Sequence, residues 1–200
     1  MKADRMVQFL SISAILFILN GGDNLMNELE VIRLLQRYRH DVANHLQIVH
    51  GYLSMGLKER AEEKLREWIS LCEQERRLTS LRAPKFALWI FQFNASYNRL
   101  HLTYHIHTEQ KDLSAFDEEI ACLFDKLAQI ALEEGEDNEL YEAELAVEEQ
   151  PDGVGFAFSI KGAISDPDEA VRKLHSLGHA EMATAGQDGF AYRFKIPYQP

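Results

Sequence analysis

Basic charge, cysteine and proline are all in short supply in this 200-residue chain, and each shortage removes a class of protein. Lys and Arg number 21 against 32 Asp and Glu, for a formal charge of −11 and a pI near 5.2. A nucleic-acid backbone needs a basic surface to displace its counterions, so nucleic acid is not expected as a partner. The two cysteines, Cys72 and Cys122, form no C-x-x-C pattern, which indicates neither a disulfide framework nor a zinc site. Both are expected to be buried thiols. The five prolines and 11 glycines make no low-complexity segment and no internal repeat. No apolar run reaches the roughly 18 to 20 residues that span a bilayer.

The longest apolar run, Val7 to Leu19, follows Lys2 and Arg5 and has the look of a signal peptide. Asn20-Gly21-Gly22-Asp23 offers no small-x-small cleavage site behind it. Residues 1–25 are therefore read as an extension upstream of a working start at Met26, with a membrane tether through residues 6–19 as the alternative. A cytoplasmic location is expected.

What the sequence has in quantity is helix. From about Leu25 to Leu53 it is rich in Glu, Leu, Arg and Gln, all good helix formers. With about 100° of rotation per residue, Leu35, Tyr38, Val42, Leu46, Val49 and Leu53 form one apolar stripe, expected to be the buried face. His40 points about 150° away from the centre of that stripe, and Asn44, Gln47 and Gly51 follow it along the exposed side, with Arg37 one turn before it. His45 and His50, about 70° off the stripe, are assigned structural roles. An exposed histidine with a cation and two amides on its ridge suits a phosphorylated imidazole. His40 is the candidate phosphoacceptor, and Arg37, Asp41, Asn44 and Gln47 are candidate supporting or partner-docking residues.

Ser54-Met55-Gly56 breaks the helix, and Leu57 to about Ser80 forms a second one, with Leu57, Ala61, Leu65, Trp68 and Cys72 on one face. So short a connection makes an antiparallel hairpin. A hairpin cannot cover both of its apolar stripes, and the economical completion is a homodimer whose two hairpins form a four-helix bundle. Pro84 marks a boundary. Beyond it the order reads α-β-α-β-β-α-β: an aromatic helix from Pro84 to about Asn98, a strand around Leu102 to Ile106, a helix from Phe116 to Glu134, a hairpin of Leu140 to Glu149 with Val154 to Lys161, a helix capped at Asp166, and a last strand from Phe190 to Pro197. The fold class is α+β, with an extension at 1–25, a helical hairpin at 26–82 and an α/β sandwich at 83–200.

The run R-H-D-x-x-N-H-L-Q-I-x-x-G-Y-L, from Arg39 to Leu53, resembles the phosphoacceptor helix of the sporulation phosphotransferase B family, whose hairpin also occurs in citrate and dicarboxylate sensor kinases. Leu81-Arg82-Ala83-Pro84 and Lys111-Asp112-Leu113-Ser114-Ala115-Phe116-Asp117 resemble the phosphotransferase itself. The likeness implies a dimeric phosphorelay protein. Its donor would be a phosphorylated single-domain response regulator and its acceptor a sporulation transcription regulator, with Mg²⁺ supplied at the partner receiver-domain site and no cofactor bound by this chain. The second domain resembles the ATP-binding domain of histidine kinases, but Lys126 and Ile130 stand where metal-binding asparagines are expected. Ser159-Ile160-Lys161-Gly162-Ala163 replaces a D-x-G-x-G motif, and Gly178, Gly186 and Gly189 lie too far apart for the later G-x-G. A degenerate scaffold is expected.

Three rivals stand beside this reading. A sensor histidine kinase, or a fragment of one, would need an unfamiliar ATP site. A metalloenzyme would need ligands, yet His40 and His45 diverge by about 140°, and the His105/His107 pair has no obvious third partner. A non-catalytic dimeric interaction module would not need His40.

Overall fold

The computed structural model describes residues 28–108, 111–136 and 139–198; the extension of residues 1–25 lies outside them. The described chain is α+β, helical first and then a five-stranded sheet with helices. It divides into two compact units, one ending at Glu73 and one running from Gln74 to Pro200.

The first unit is a helical hairpin of α1 (Glu28–Ser54) and the larger part of α2 (Lys58–Ser80). One glycine makes the turn. Gly56 has φ +75°, its N–H donates to the Leu53 carbonyl at 3.0 Å, and the Leu57 N–H reaches the Tyr52 carbonyl at 2.9 Å. These are the two bonds of a Schellman cap, which requires a left-handed residue. The chain turns back so that His45 stacks on Trp68, ring centroids 6.0 Å apart. The stripe expected to be buried is only partly covered: Leu35, Tyr38, Val42 and Val49 are half-buried, while Leu46 and Leu53 are 45% and 53% exposed. Two helices alone do not supply enough neighbours for two apolar stripes.

The second unit holds the end of α2, then α3 (Pro84–Ser96), β1 (Leu100–His107), a 3-10 turn at Ser114–Phe116, α4 (Asp117–Glu134), β2 (Tyr141–Gln150), β3 (Gly153–Lys161), α5 (Pro167–Ser176), β4 (Ala180–Gly186) and β5 (Gly189–Pro197). The strand order is β1-β2-β3-β5-β4, with β1 and β2 parallel and the other neighbours antiparallel. Alternation sorts each strand between two faces. Leu102, Ile106, Tyr141, Leu145 and Val147 are buried, whereas His101, Thr103, His107, Glu142, Glu144 and Glu148 are exposed. On the apolar side Phe124 of α4 meets Phe86 of α3 at 5.3 Å and Phe158 and Phe194 of the sheet at 5.6 and 5.7 Å. Each such buried aromatic contributes about 1.5–3 kcal/mol.

Strand β4 is missing from the order expected from sequence. Ala180 to Gly186 contains a single β-branched residue, Thr184, and its own propensity for strand is poor. The turn at Gln187-Asp188 lays it on β5, pairing Gly186 with Gly189 and Thr184 with Ala191. Neither cysteine is fully buried. Cys72 is half-buried and Cys122 is exposed, because α4 turns Leu123 and Phe124 inward and leaves Cys122 on the solvent side.

Two local devices hold this unit together. Ala83 cannot cap α3, so the carboxylate of Asp117 does it from the start of α4, accepting the Lys85 and Phe86 N–H groups at 2.9 Å each. Along the outer edge of β1, Asn94 Oδ1 accepts the Leu102 N–H at 2.8 Å and Gln74 Oε1 accepts the Ile106 N–H, while Arg77 donates to the Ile106 carbonyl at 3.2 Å. Side chains of α2 and α3 thus occupy groups that an open edge would offer to another strand.

Candidate functional site

The regular turn of α1 places His40 on the outer side of the hairpin, its side chain 71% exposed. Two neighbours on the same helix reach it. The Asp41 carboxylate lies 3.2 Å from Nδ1, and the Asn44 amide nitrogen lies 3.2 Å from Nδ1 and 3.5 Å from Nε2. A carboxylate accepts and an amide NH₂ donates, so a proton on Nδ1 would serve Asp41 and leave Nε2 to accept from Asn44, whereas the opposite tautomer would let Nδ1 accept from Asn44. Asn44, one turn on, hangs its amide beside the ring. The arrangement presents an imidazole to solvent with a carboxylate and an amide beside it.

Arg37 and Gln47 are exposed on the same ridge but make no hydrogen bond or ion pair with His40 among the described residues. Of the five residues singled out in sequence, the structure brings three into one contact set and leaves two as flanks. Ile48 was not singled out. It is 46% exposed, one turn beyond Asn44, and the signal for it was an isoleucine about 120° from the centre of the apolar stripe. Gly51 lies one turn past Gln47, and a Cβ built there meets nothing within 4 Å. His45 is half-buried against Trp68, whereas His50 is exposed.

In the second unit, Lys126 is exposed on α4 and Ile130 is buried. Beyond β3 the backbone donors are committed within the chain. The N–H groups of Gly162 and Ile164 bond the carbonyls of Asp188 and Gln187 at 3.0 Å each, and that of Ser165 bonds the Glu134 carbonyl at 2.7 Å. Between α4 and α5 the ammonium of Lys173 sits 2.6 Å from both Glu133 and Glu134; hydrogen bonds to Glu133 and then Glu134 raise its pKa well above the usual lysine value. His105 and His107 stack at 6.2 Å on the open face of β1. Among the described residues no group of three or more His, Cys, Asp or Glu side chains could hold a metal ion, and no helix is long and apolar enough to cross a membrane.

Comparison with known proteins places these two parts. Residues 22–81 match the family model described as sensor kinase SpoOB-type, alpha-helical domain. The chain is 37% identical over 98 residues to the sporulation initiation phosphotransferase B of Bacillus subtilis (strain 168), a match covering 49% of this chain and 51% of that protein. The match thus spans about half the length of this curated relative. Similar solved structures include the catalytic domain of histidine kinase ThkA (18% identity, TM-score 0.42, covering 60% of this chain and 92% of that one). Another is the histidine kinase domain of the Erythrobacter litoralis EL346 blue-light activated kinase (13% identity, TM-score 0.42, covering 97% and 94%). Residues 82–185, more than half of the chain, match the model of the sporulation initiation phosphotransferase B C-terminal domain, and the chain belongs to that family.

Proposed function

We propose that the chain is a phosphorelay phosphotransferase of sporulation initiation. His40 takes a phosphoryl group from the aspartyl phosphate of one response-regulator receiver domain and passes it to an aspartate of a second. The observation that carries this reading is the His40 ring itself, exposed on a helix face with the Asp41 carboxylate and the Asn44 amide against it.

In the forward step Nε2 attacks phosphorus in line, the N–P bond forms, and the P–O bond to the aspartyl carboxylate breaks with its electron pair returning to that carboxylate. Attack leaves the ring cationic, and Asp41 offsets that charge through the Nδ1–H bond. Asn44 donates to phosphoryl oxygens, and Arg37 and Gln47 engage the rim of the partner. Ile48 and the bare Gly51 extend the same docking ridge. Mg²⁺ enters with the acidic pocket of the receiver domain, so this chain supplies no metal ligand. The reverse step delivers the group to the acceptor. Donor and acceptor are a single-domain response regulator and a sporulation transcription regulator, both cytoplasmic, which puts this chain in the cytoplasm.

The second unit is read as a scaffold without nucleotide. The side chains at the positions considered for metal binding, Lys126 and Ile130, are not metal ligands, and the donors of Gly162, Ile164 and Ser165 already serve carbonyls of this chain. These residues do not fit a metal-bound triphosphate. The half-covered stripes of α1 and α2 support a homodimer in which two hairpins complete one four-helix bundle.

The test is phosphotransfer with the purified chain, offered labelled receiver-domain phosphate and, separately, labelled ATP. Acid-labile, alkali-stable label should come from the receiver alone and be lost in His40→Gln, which stays folded because an exposed side chain contributes little to stability. Label taken from ATP would overturn the reading in favour of a kinase. No label from either source would leave an interaction module.

A further inference from the structure

The two stretches that stood out in sequence beyond the histidine helix, Leu81 to Pro84 and Lys111 to Asp117, lie against each other. The Leu113 N–H donates to the Leu81 carbonyl at 2.9 Å, and the Arg82 guanidinium meets the Asp112 carboxylate at 2.8 Å. Arg82 sits at φ +54°, a left-handed backbone that a side chain disfavours. Glycine would take that conformation freely, so an arginine there retains strain that something must hold. The strap on the other side is well anchored: Lys111 pairs with Glu149 at 2.7 Å and lies over the Tyr198 ring at 4.8 Å. Ser114 donates from its N–H and its hydroxyl to Asp112 Oδ1 at 3.0 and 2.6 Å, which leaves Oδ2 for Arg82.

We propose that the joint between α2 and α3 is a salt-sensitive latch, in which the Arg82–Asp112 pair keeps a strained turn closed and so holds the end of α2 against the strap of residues 111–117. Opposing parts make it a latch rather than a fixed contact. Leu81 and Leu113 are 0% and 3% exposed, so their backbone bond is dry, but the ion pair beside it is 73% and 50% exposed and is screened by salt. The strain pulls the turn open and the pair pulls it shut. Salt rather than pH is the lever, because the Ser114 hydroxyl and N–H, with Arg82, hold the Asp112 carboxyl below its usual range and keep it charged. The helix that ends at this joint is continuous back to Lys58 and carries the Trp68 that supports His45.

Amide hydrogen exchange on the full chain tests the latch at Leu113, with the Phe86 amide, held independently by Asp117, as reference. Between about 10 mM and 500 mM salt the Debye length falls from about 30 Å to about 4 Å, and Leu113 exchange in the native chain should rise several-fold. Asp112→Asn should exchange fast at every salt concentration. Arg82→Gly, with pair and strain both gone, should exchange slowly and without salt dependence. Phe86 should stay protected throughout. Leu113 exchange indifferent to salt and to Asp112→Asn would overturn the latch. So would Arg82→Gly exchanging as fast as Asp112→Asn, since the strain would then have no part. Loss of Phe86 protection in Asp112→Asn would make the pair an ordinary structural contact and overturn it too.

Discussion

The two units of this chain solve the burial problem in opposite ways. In the second unit the apolar face of the sheet is closed by its own helices, and Phe86, Phe93, Phe124 and Leu127 are 0% exposed. In the hairpin Leu29, Ile32, Leu46, Leu53 and Ile69 remain between 45% and 54% exposed, although α1 ends in a regular glycine cap. A sheet with helices on one face is a complete layered core; two helices are half of a bundle. The unit with spare apolar surface is also the one that carries His40, so the proposed assembly and the proposed chemistry fall on the same element.

The largest effect expected from that contrast comes from a charge in the hairpin stripe. Leu46→Asp should weaken the proposed self-association by at least about 100-fold, since each copy would bury a carboxylate in place of a leucine. Sedimentation would show monomers with the sheet unit intact, and an unchanged dimer would mean that the stripe is covered by something else. Next in size is the cap of α3. Asp117→Ala strips one buried and one part-buried N–H group of their carboxylate acceptor and should cost the second unit about 2–3 kcal/mol. Trp68 and Trp89 fall one in each unit, so single-tryptophan variants read the loss separately; an equal loss in the hairpin would deny their independence.

The smallest effect is a pH dependence. Burial pushes the Glu75 carboxyl up from about 4.5 to about 7, and Glu75 falls in line with Trp68, Cys72 and Thr79 along α2. Folding then favours the protonated form. The native state holds more protons than the unfolded chain between about pH 4.5 and 7, and stability falls as pH rises through that window and levels off above it. Glu75→Gln should remove the slope and gain about 1–2 kcal/mol at pH 8, allowing for the solvent that still reaches the group. Denaturation midpoints across the window decide it. A slope that survives the substitution would assign it to another group.

Periodicity and turn chemistry determined much of this molecule directly. The apolar spacing of Leu35 to Leu53, the glycine at 56, Pro84 and Asp166 mark helices and their ends through interactions within a few residues, which any reading of the chain can see. The same rotation put His40, Asn44 and Gln47 on one side of α1. Only the tertiary structure decided the rest. Ala180 to Gly186 has no strand preference of its own and became β4 because β5 lay ready to pair with it. Asp117 caps a helix that begins far earlier in the chain, and Arg82 finds Asp112 across a helix and a strand. Cys122 faces water because Phe124, two residues on, had the better claim to the core. Local bonds repeat along a sequence and can be counted there; contacts between distant segments depend on which surfaces the fold brings together.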